Sequence, residues 1–125
     1  MQQPDTNDIA AFIEQFVNQT NQSVFLTGKA GTGKTTLLRK LIAQTHKNAV
    51  IVAPTGIAAL NAGGVTIHSF FQLPFAGFIP EFGVQASFNE SFKLETKDTL
   101  MRHLRMNKTR IQLIRGVELL IIDEV

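Results

Sequence analysis

The stretch GKAGTGKTT, residues 28–36, constrains the fold more than any other part of the chain. Three glycines and two lysines in nine residues suit neither a helix nor a strand interior, since glycine brings conformational freedom that either element must remove. Its flanks are regular. Residues 23–27 (SVFLT) are short and β-rich and read as a strand, whereas Leu37, Leu38, Leu41 and Ile42 mark one face of a helix beginning near Lys34. Further along, AVIVA (Ala49–Ala53) and LLIID (residues 119–123) are continuously apolar, as expected of parallel strands covered on both faces. TGIAALNAGG between them predicts a short helix closed by glycines. Ile9, Phe12, Ile13, Phe16 and Val17 predict a leading amphipathic helix, capped by Thr6 or Asn7 and ending near NQTNQS. Strands alternating with helices give an α/β fold with a parallel sheet flanked by helices.

At 125 residues the chain suits one domain with a real core. Its 44% hydrophobic and 18% charged residues exclude a disordered chain. A net charge of +2 does not by itself imply nucleic acid, so the position of the charges has to carry any such claim. The absence of cysteine excludes a disulfide scaffold or a thiolate metal site and fits a cytoplasmic, intracellular location. MQQPDTNDIAAF lacks a basic leader followed by an apolar run, and no apolar stretch approaches the roughly 20 residues that span a bilayer.

Gly28-x-x-x-x-Gly33-Lys34-Thr35 matches the phosphate loop G-x-x-x-x-G-K-[ST], with a strand expected before it and a helix after. A glycine-rich turn that matched by accident would occur in roughly one of a few hundred chains this long. Without side chains the backbone of Gly28, Ala30, Gly31, Thr32, Gly33, Lys34, Thr35 and Thr36 can curl around one anion, aided by the helix N-terminus. Lys34 would reach the β- and γ-phosphates, and the Thr35 hydroxyl would ligate Mg²⁺. Asp123 and Glu124 follow the apolar run LLII and so emerge at the carboxyl end of a buried strand, where parallel sheets bind ligands. Asp123 would hold Mg²⁺ through water, and Glu124 would orient and deprotonate the attacking water. The expected cofactors are ATP and Mg²⁺, with the glutamate favouring hydrolysis over a pure switch.

VIVAPTGIAALNAGGVTIHSFF, residues 50–71, places Pro54-Thr55-Gly56 at a strand end and gathers Thr66, His68, Ser69 and Phe70 after a glycine break. Such hydroxyls and main-chain amides can contact a phosphate backbone, and His68 and Phe70 can stack on bases or bond to them. The residues by themselves favour the plainer reading, in which Thr55-Gly56 is a tight turn, His68 a satisfied buried histidine and Phe70-Phe71 core.

FLTGKAGTGKTTLL, APTGIAALNAGGVTIHSFF and LLIIDEV, in this order and spacing, resemble the PIF-type (petite integration frequency) DNA helicases of superfamily 1. The resemblance covers residues 23–71 and 119–125, and the middle motif is more specific than the phosphate loop. It implies a P-loop NTPase domain of RecA-like fold, part of an ATP-driven motor moving 5′→3′ on single-stranded DNA. It also implies that Lys34 and Thr35 bind Mg-ATP and that Asp123 and Glu124 serve as metal ligand and catalytic base. Thr55, Gly56, Thr66, His68 and Ser69 would lie along the DNA strand, leaving Phe71 as core. Members of this family read adenine with a glutamine upstream of the loop; Gln15, Gln19 and Gln22 stand there, none in a recognisable motif. They also carry a second RecA-like domain that supplies an arginine, so the chain is expected to be the N-terminal part of a larger protein and an incomplete domain.

On this basis residues 1–22 form a leading helix and linker, and 23–71 the phosphate loop and DNA-contact motif. Residues 72–100 form an irregular phenylalanine-rich segment (Phe75, Phe78, Phe82, Phe88, Phe92), and 101–125 a basic helix and the Asp-Glu strand. The phenylalanines read as local core or a docking surface, with base stacking as the alternative. Arg102, Arg105, Lys108, Arg110 and Arg115 have no acid between them and read as a solvated face, with phosphate contact as the alternative, while Ile111, Leu113, Ile114 and Val117 pack that segment on the sheet. Two rival functions remain at this stage. One is a loader or remodeller ATPase indifferent to single-stranded DNA; the other is a nucleotide-switched binding module built around the phenylalanine segment.

Overall fold

A computed structural model of the chain describes residues 6–74, 77–78, 94–95, 97–104 and 106–125. Helix α1 (Thr6–Gln19) is followed by the glycine loop and α2 (Lys34–Gln44), then β1 (Ala49–Ala53) and α3 (Gly56–Ala62). Strand β2 (Val65–Thr66) runs directly into α4 (Ile67–Phe71). After the short pair β3 (Gly77–Phe78) and β4 (Leu94–Glu95) come α5 (Lys97–His103), α6 (Lys108–Arg115) and β5 (Leu119–Ile122). No helix among the described residues is long and apolar enough to cross a membrane.

The sheet is parallel and ordered β2-β1-β5. The central strand is the apolar run AVIVA, and the middle of it is closed off from water: Val52 and Ala53 are fully buried. Ile51 sits opposite Ile121 in the ladder, and both join Val17 of α1, Leu41 of α2 and Ala62 of α3 in the main core. Ile13, Leu38, Ile42 and Leu119 pack around this cluster. A second cluster joins Ala53 to Ala58 and Ala59, so α3 lies on β1 through alanines alone. At the amino end of the sheet Asn48 ties β1 to β5. Its main-chain N–H donates to Glu118 Oε2 at 2.8 Å, its side-chain amide donates to the Gly116 carbonyl at 2.7 Å, and its carbonyl accepts from Glu118 and Leu119.

Helix α1 is held to the end of α2 by polar bonds that complement the Val17 contact. Thr45 Oγ1 donates to Asn18 Oδ1 at 2.6 Å, and the Lys47 ammonium donates to the Thr20 carbonyl at 2.7 Å. Thr6 and Asn7 occupy the first turn of α1 rather than a position before it.

The structure departs from the sequence reading at several further places, and LLII is one: Leu120 and Ile122 are exposed, so β5 is covered on one face rather than both. Residues 20–29 carry no regular secondary structure, so 23–27 is not a strand. Its composition favours one, but a strand exists only where a neighbouring backbone completes its ladder. β5 meets β1 on one side, and no described strand pairs with its other side. Val24 and Phe25 are accordingly exposed. The basic segment forms two helices instead of one, because Asn107 Oδ1 accepts from the Arg110 N–H at 2.7 Å and starts α6 as a new helix. Of the four apolar residues expected to pack there, Ile111, Ile114 and Val117 are half-buried, whereas Leu113 faces solvent. Within 72–100, expected to be irregular, the described parts include β3, β4 and the start of α5. Phe75, Phe82, Phe88 and Phe92, like Arg105, lie outside the described residues.

Gly63 and Gly64 turn the chain from α3 into β2 for different reasons. Gly63 takes φ +74° and closes α3, while a Cβ on Gly64 would stand 2.3 Å from the Ile51 carbonyl oxygen and 2.8 Å from the Ile51 Cβ. Gly64→Ala is therefore expected to cost about 1–3 kcal/mol through overpacking against the central strand. Gly116→Ala, whose Cβ meets only ordinary contacts at 3.5 Å with φ −79°, should be neutral or stabilising by up to about 1 kcal/mol. Urea unfolding of the two variants checks both signs, and equal midpoints would contradict the close approach.

Candidate functional site

Parallel pairing brings the carboxyl ends of three strands to one edge. In the ladder Val52 is opposite both Val65 and Ile122, and Ala53 is opposite Thr66. The Asp123 N–H donates to the Val52 carbonyl at 2.9 Å, extending the register of β5 by one more bond. Thr55, Thr66 and the acidic pair thus leave the sheet side by side, although they lie up to 69 positions apart (124 − 55). Asp123 is half-buried and Glu124 exposed. Asp123 Oδ1 accepts from the Glu124 N–H at 3.1 Å, and Glu124 takes φ +58°, a left-handed conformation uncommon for a side chain of its size.

The glycine loop is organised by its lysine. Lys34 Nζ donates to the carbonyls of Gly28 at 2.6 Å and Lys29 at 2.8 Å, and lies 3.4 Å from Thr32 Oγ1. Thr32 Oγ1 itself donates to the Lys29 carbonyl at 2.7 Å. Two conformational turns make this possible, Gly31 at φ +79° and Gly33 at φ +83°, the latter just before α2. A side chain at either would be strained by roughly 1–2 kcal/mol, and both positions face open space. Gly28 serves differently, since its Cβ would come within 3.0 Å of Thr32 Oγ1 and 3.7 Å of Lys34 Nζ. Ala30 and Thr36 are exposed, and Thr35 is half-buried in the first turn of α2.

These residues fit a magnesium nucleotide. The loop offers an ammonium, open space beside two glycines and the start of an 11-residue helix, which together suit a polyphosphate. Among the described residues no group of three or more His, Cys, Asp or Glu could form an all-protein metal cage. One threonine hydroxyl and one carboxylate match the sparse set with which Mg²⁺ is held, the remaining positions going to water and phosphate oxygens. Among the described residues no hydrogen bond joins Asp123 or Glu124 to Lys34 or Thr35.

Along the strand edge the two threonines are helix caps. Thr55 Oγ1 accepts from the Ala58 N–H at 3.2 Å and starts α3; Thr66 Oγ1 accepts from the Ser69 N–H at 3.1 Å and starts α4. Each hydroxyl retains its proton for a further acceptor. Gly56 and Ser69 are exposed, and His68 is half-buried. Phe70 is buried at 4% exposure and meets Phe71 edge-to-face with centroids 4.9 Å apart, so both serve packing and Phe70 presents no stacking face. Gln15 donates to Gln19 at 3.4 Å on the exposed side of α1.

One polar contact between α2 and α3 has no counterpart in the sequence motifs. The Arg39 guanidinium on α2 donates to the main-chain carbonyl of Asn61 on α3. An arginine on an exposed helical face is indistinguishable in sequence from a solvated one, and its acceptor is a carbonyl that any residue carries.

Comparison with known proteins agrees with this arrangement. A family model described as PIF1-like helicase matches residues 2–80. The ATP-dependent DNA helicase PIF1 of Candida albicans is 38% identical over 107 residues, covering 82% of this chain and 10% of that protein. Among solved structures, Bacteroides Pif1 bound to ssDNA has a TM-score of 0.64 at 36% identity, over the whole of this chain and 24% of that one. Bacteroides sp. Pif1 in complex with ADP-AlF4 has a TM-score of 0.66 at 39% identity, over 93% of this chain and 23% of that one. The chain thus spans about a tenth to a quarter of these relatives' length. Its parallel sheet and flanking helices are the α/β, RecA-like arrangement of their motor domains. With its loop, strand edge and acidic turn in this order, the chain belongs to the PIF1-like helicase family.

Proposed function

We propose that this chain is the nucleotide-binding part of a first RecA-like domain in an ATP-dependent DNA helicase that moves 5′→3′ on single-stranded DNA. The observation that carries this reading is the common carboxyl edge, where Thr55, Thr66 and the Asp123-Glu124 turn leave neighbouring parallel strands. Lys34 exchanges its bonds to the Gly28 and Lys29 carbonyls for phosphate oxygens, with the main chain of residues 28–36 around them. Thr35 and Asp123 would hold Mg²⁺, which would supply positive charge to offset that of the phosphates. Glu124 takes a proton from the attacking water. The Thr55 and Thr66 hydroxyl protons, the Gly56 main chain, His68 and Ser69 meet the DNA strand and fix its register rather than its sequence. The DNA bound in the Bacteroides relative supports such a partner here, and ADP-AlF4 in another supports the nucleotide. A second RecA-like domain completes the site.

The deciding experiment is ATP turnover by the full-length protein with and without oligothymidylate. Strong stimulation by DNA supports a motor; turnover indifferent to DNA overturns it in favour of a loader or remodeller ATPase. Lys34→Ala should weaken ATP binding by about 10- to 100-fold, the loss of one charge-assisted bond, and calorimetric titration giving equal affinities would contradict its role. Glu124→Gln should leave ATP affinity unchanged while lowering turnover by about 100-fold or more. Thr66→Val removes both the α4 cap and the donated proton, and should weaken oligothymidylate binding roughly 2- to 10-fold. Thr66→Ser should restore it, and fluorescence anisotropy that cannot separate valine from serine would remove Thr66 from the strand path.

A further inference from the structure

We infer that Arg39 is a positioning residue that couples the helix of the phosphate loop to the helix beginning at Thr55 and Gly56. Its bond to the Asn61 carbonyl joins the second turn of α2 to the last turn of α3. The last carbonyls of a helix have no partner within it and must find one outside. In α3 the Ala59 and Leu60 carbonyls accept from Gly64 at 2.8 Å and Gly63 at 3.2 Å, while the Asn61 carbonyl accepts from Arg39. A guanidinium there is also favoured by the negative end of the helix dipole.

The contact is more than a cap because it gives the helix of the phosphate loop a polar hold on α3. Its sheet-facing residues are Ala58, Ala59 and Ala62, and its long side chains, Ile57 and Leu60, point away at 77% and 80% exposure. Among the described residues no other side-chain hydrogen bond joins α2 to α3. Arg39 stands five positions beyond Lys34 on the same helix (39 − 34). Lys34 is now committed to the Gly28 and Lys29 carbonyls, and a phosphate competes for that ammonium. The rearranged loop then shifts the start of α2, and Arg39 passes the shift to α3 and to the strand end that Thr55 caps. Given Thr55 and Gly56 as the DNA contacts proposed above, Arg39 links nucleotide state to grip on the strand.

The test is a linkage ratio in the full-length protein: the Kd for labelled oligothymidylate without nucleotide divided by that with ADP–aluminium fluoride. Coupling between two sites generally amounts to about 5- to 150-fold. Arg39→Gln should bring the ratio to less than half its unsubstituted value while leaving nucleotide affinity without DNA unchanged. Arg39→Lys, which keeps a cation for the Asn61 carbonyl, should retain most of the ratio. Lys40→Gln, with the same charge change at the neighbouring exposed position, should retain all of it. A ratio in Arg39→Gln equal to that of the unsubstituted protein, or an equal fall in Lys40→Gln, overturns the role of Arg39. A ratio of one in the unsubstituted protein instead overturns the coupled motor reading itself, and with it this inference.

Discussion

The double pairing of β1 is the constraint on which the rest of the structure depends. A strand with neighbours on both edges has its donors and acceptors satisfied within the sheet, so it can be buried on both faces without unpaired polar groups. Val52 and Ala53, with no exposed surface, show that this is achieved. Because both pairings are parallel, three strand ends point the same way, and everything that leaves the sheet there is gathered on one edge. Register does the rest: Val52 opposite Val65 and Ile122 places a threonine and an aspartate one step beyond, on either side of Ala53. A slip of one residue in either ladder would turn those side chains to the opposite face.

Close approach is the second theme. Where side chains would interfere, the chain uses none: Gly64 lies against the Ile51 carbonyl, and alanines alone separate α3 from β1. Gly28 leaves room for Thr32 and Lys34 inside the loop. The small residues of 50–71 thus serve the sheet and the site together. They let a short helix lie close to the central strand, and this brings its capping threonine to the edge where the acidic turn emerges.

Much of this was legible in the residues. AVIVA announced a buried strand and LLII a strand by their unbroken apolarity, although Leu120 and Ile122 of LLII turned out exposed; the helices after Gly33 and Thr55 were announced by leucine spacing and a glycine stop, and the loop by a motif whose spacing is rarely accidental. The strand expected at 23–27 was not found, because β-propensity describes a segment whereas a strand is a relation between two. The break between α5 and α6 was hidden because Asn107 signals a cap only once the chain before it is known to leave the helix. Phe70 was ambiguous in sequence, as an aromatic beside polar residues can serve a base or a core. Its burial settles it as core.

By itself the sequence determined the α/β class, the central strands, the phosphate loop and the family, since each is written in local pattern or in motif order. Only the tertiary structure decided which strand ends stand together, why Gly64 must be glycine and what Arg39 holds. Those depend on main-chain atoms of distant residues, a carbonyl of Ile51 or of Asn61, and a carbonyl carries no mark in the sequence of the partner it will meet.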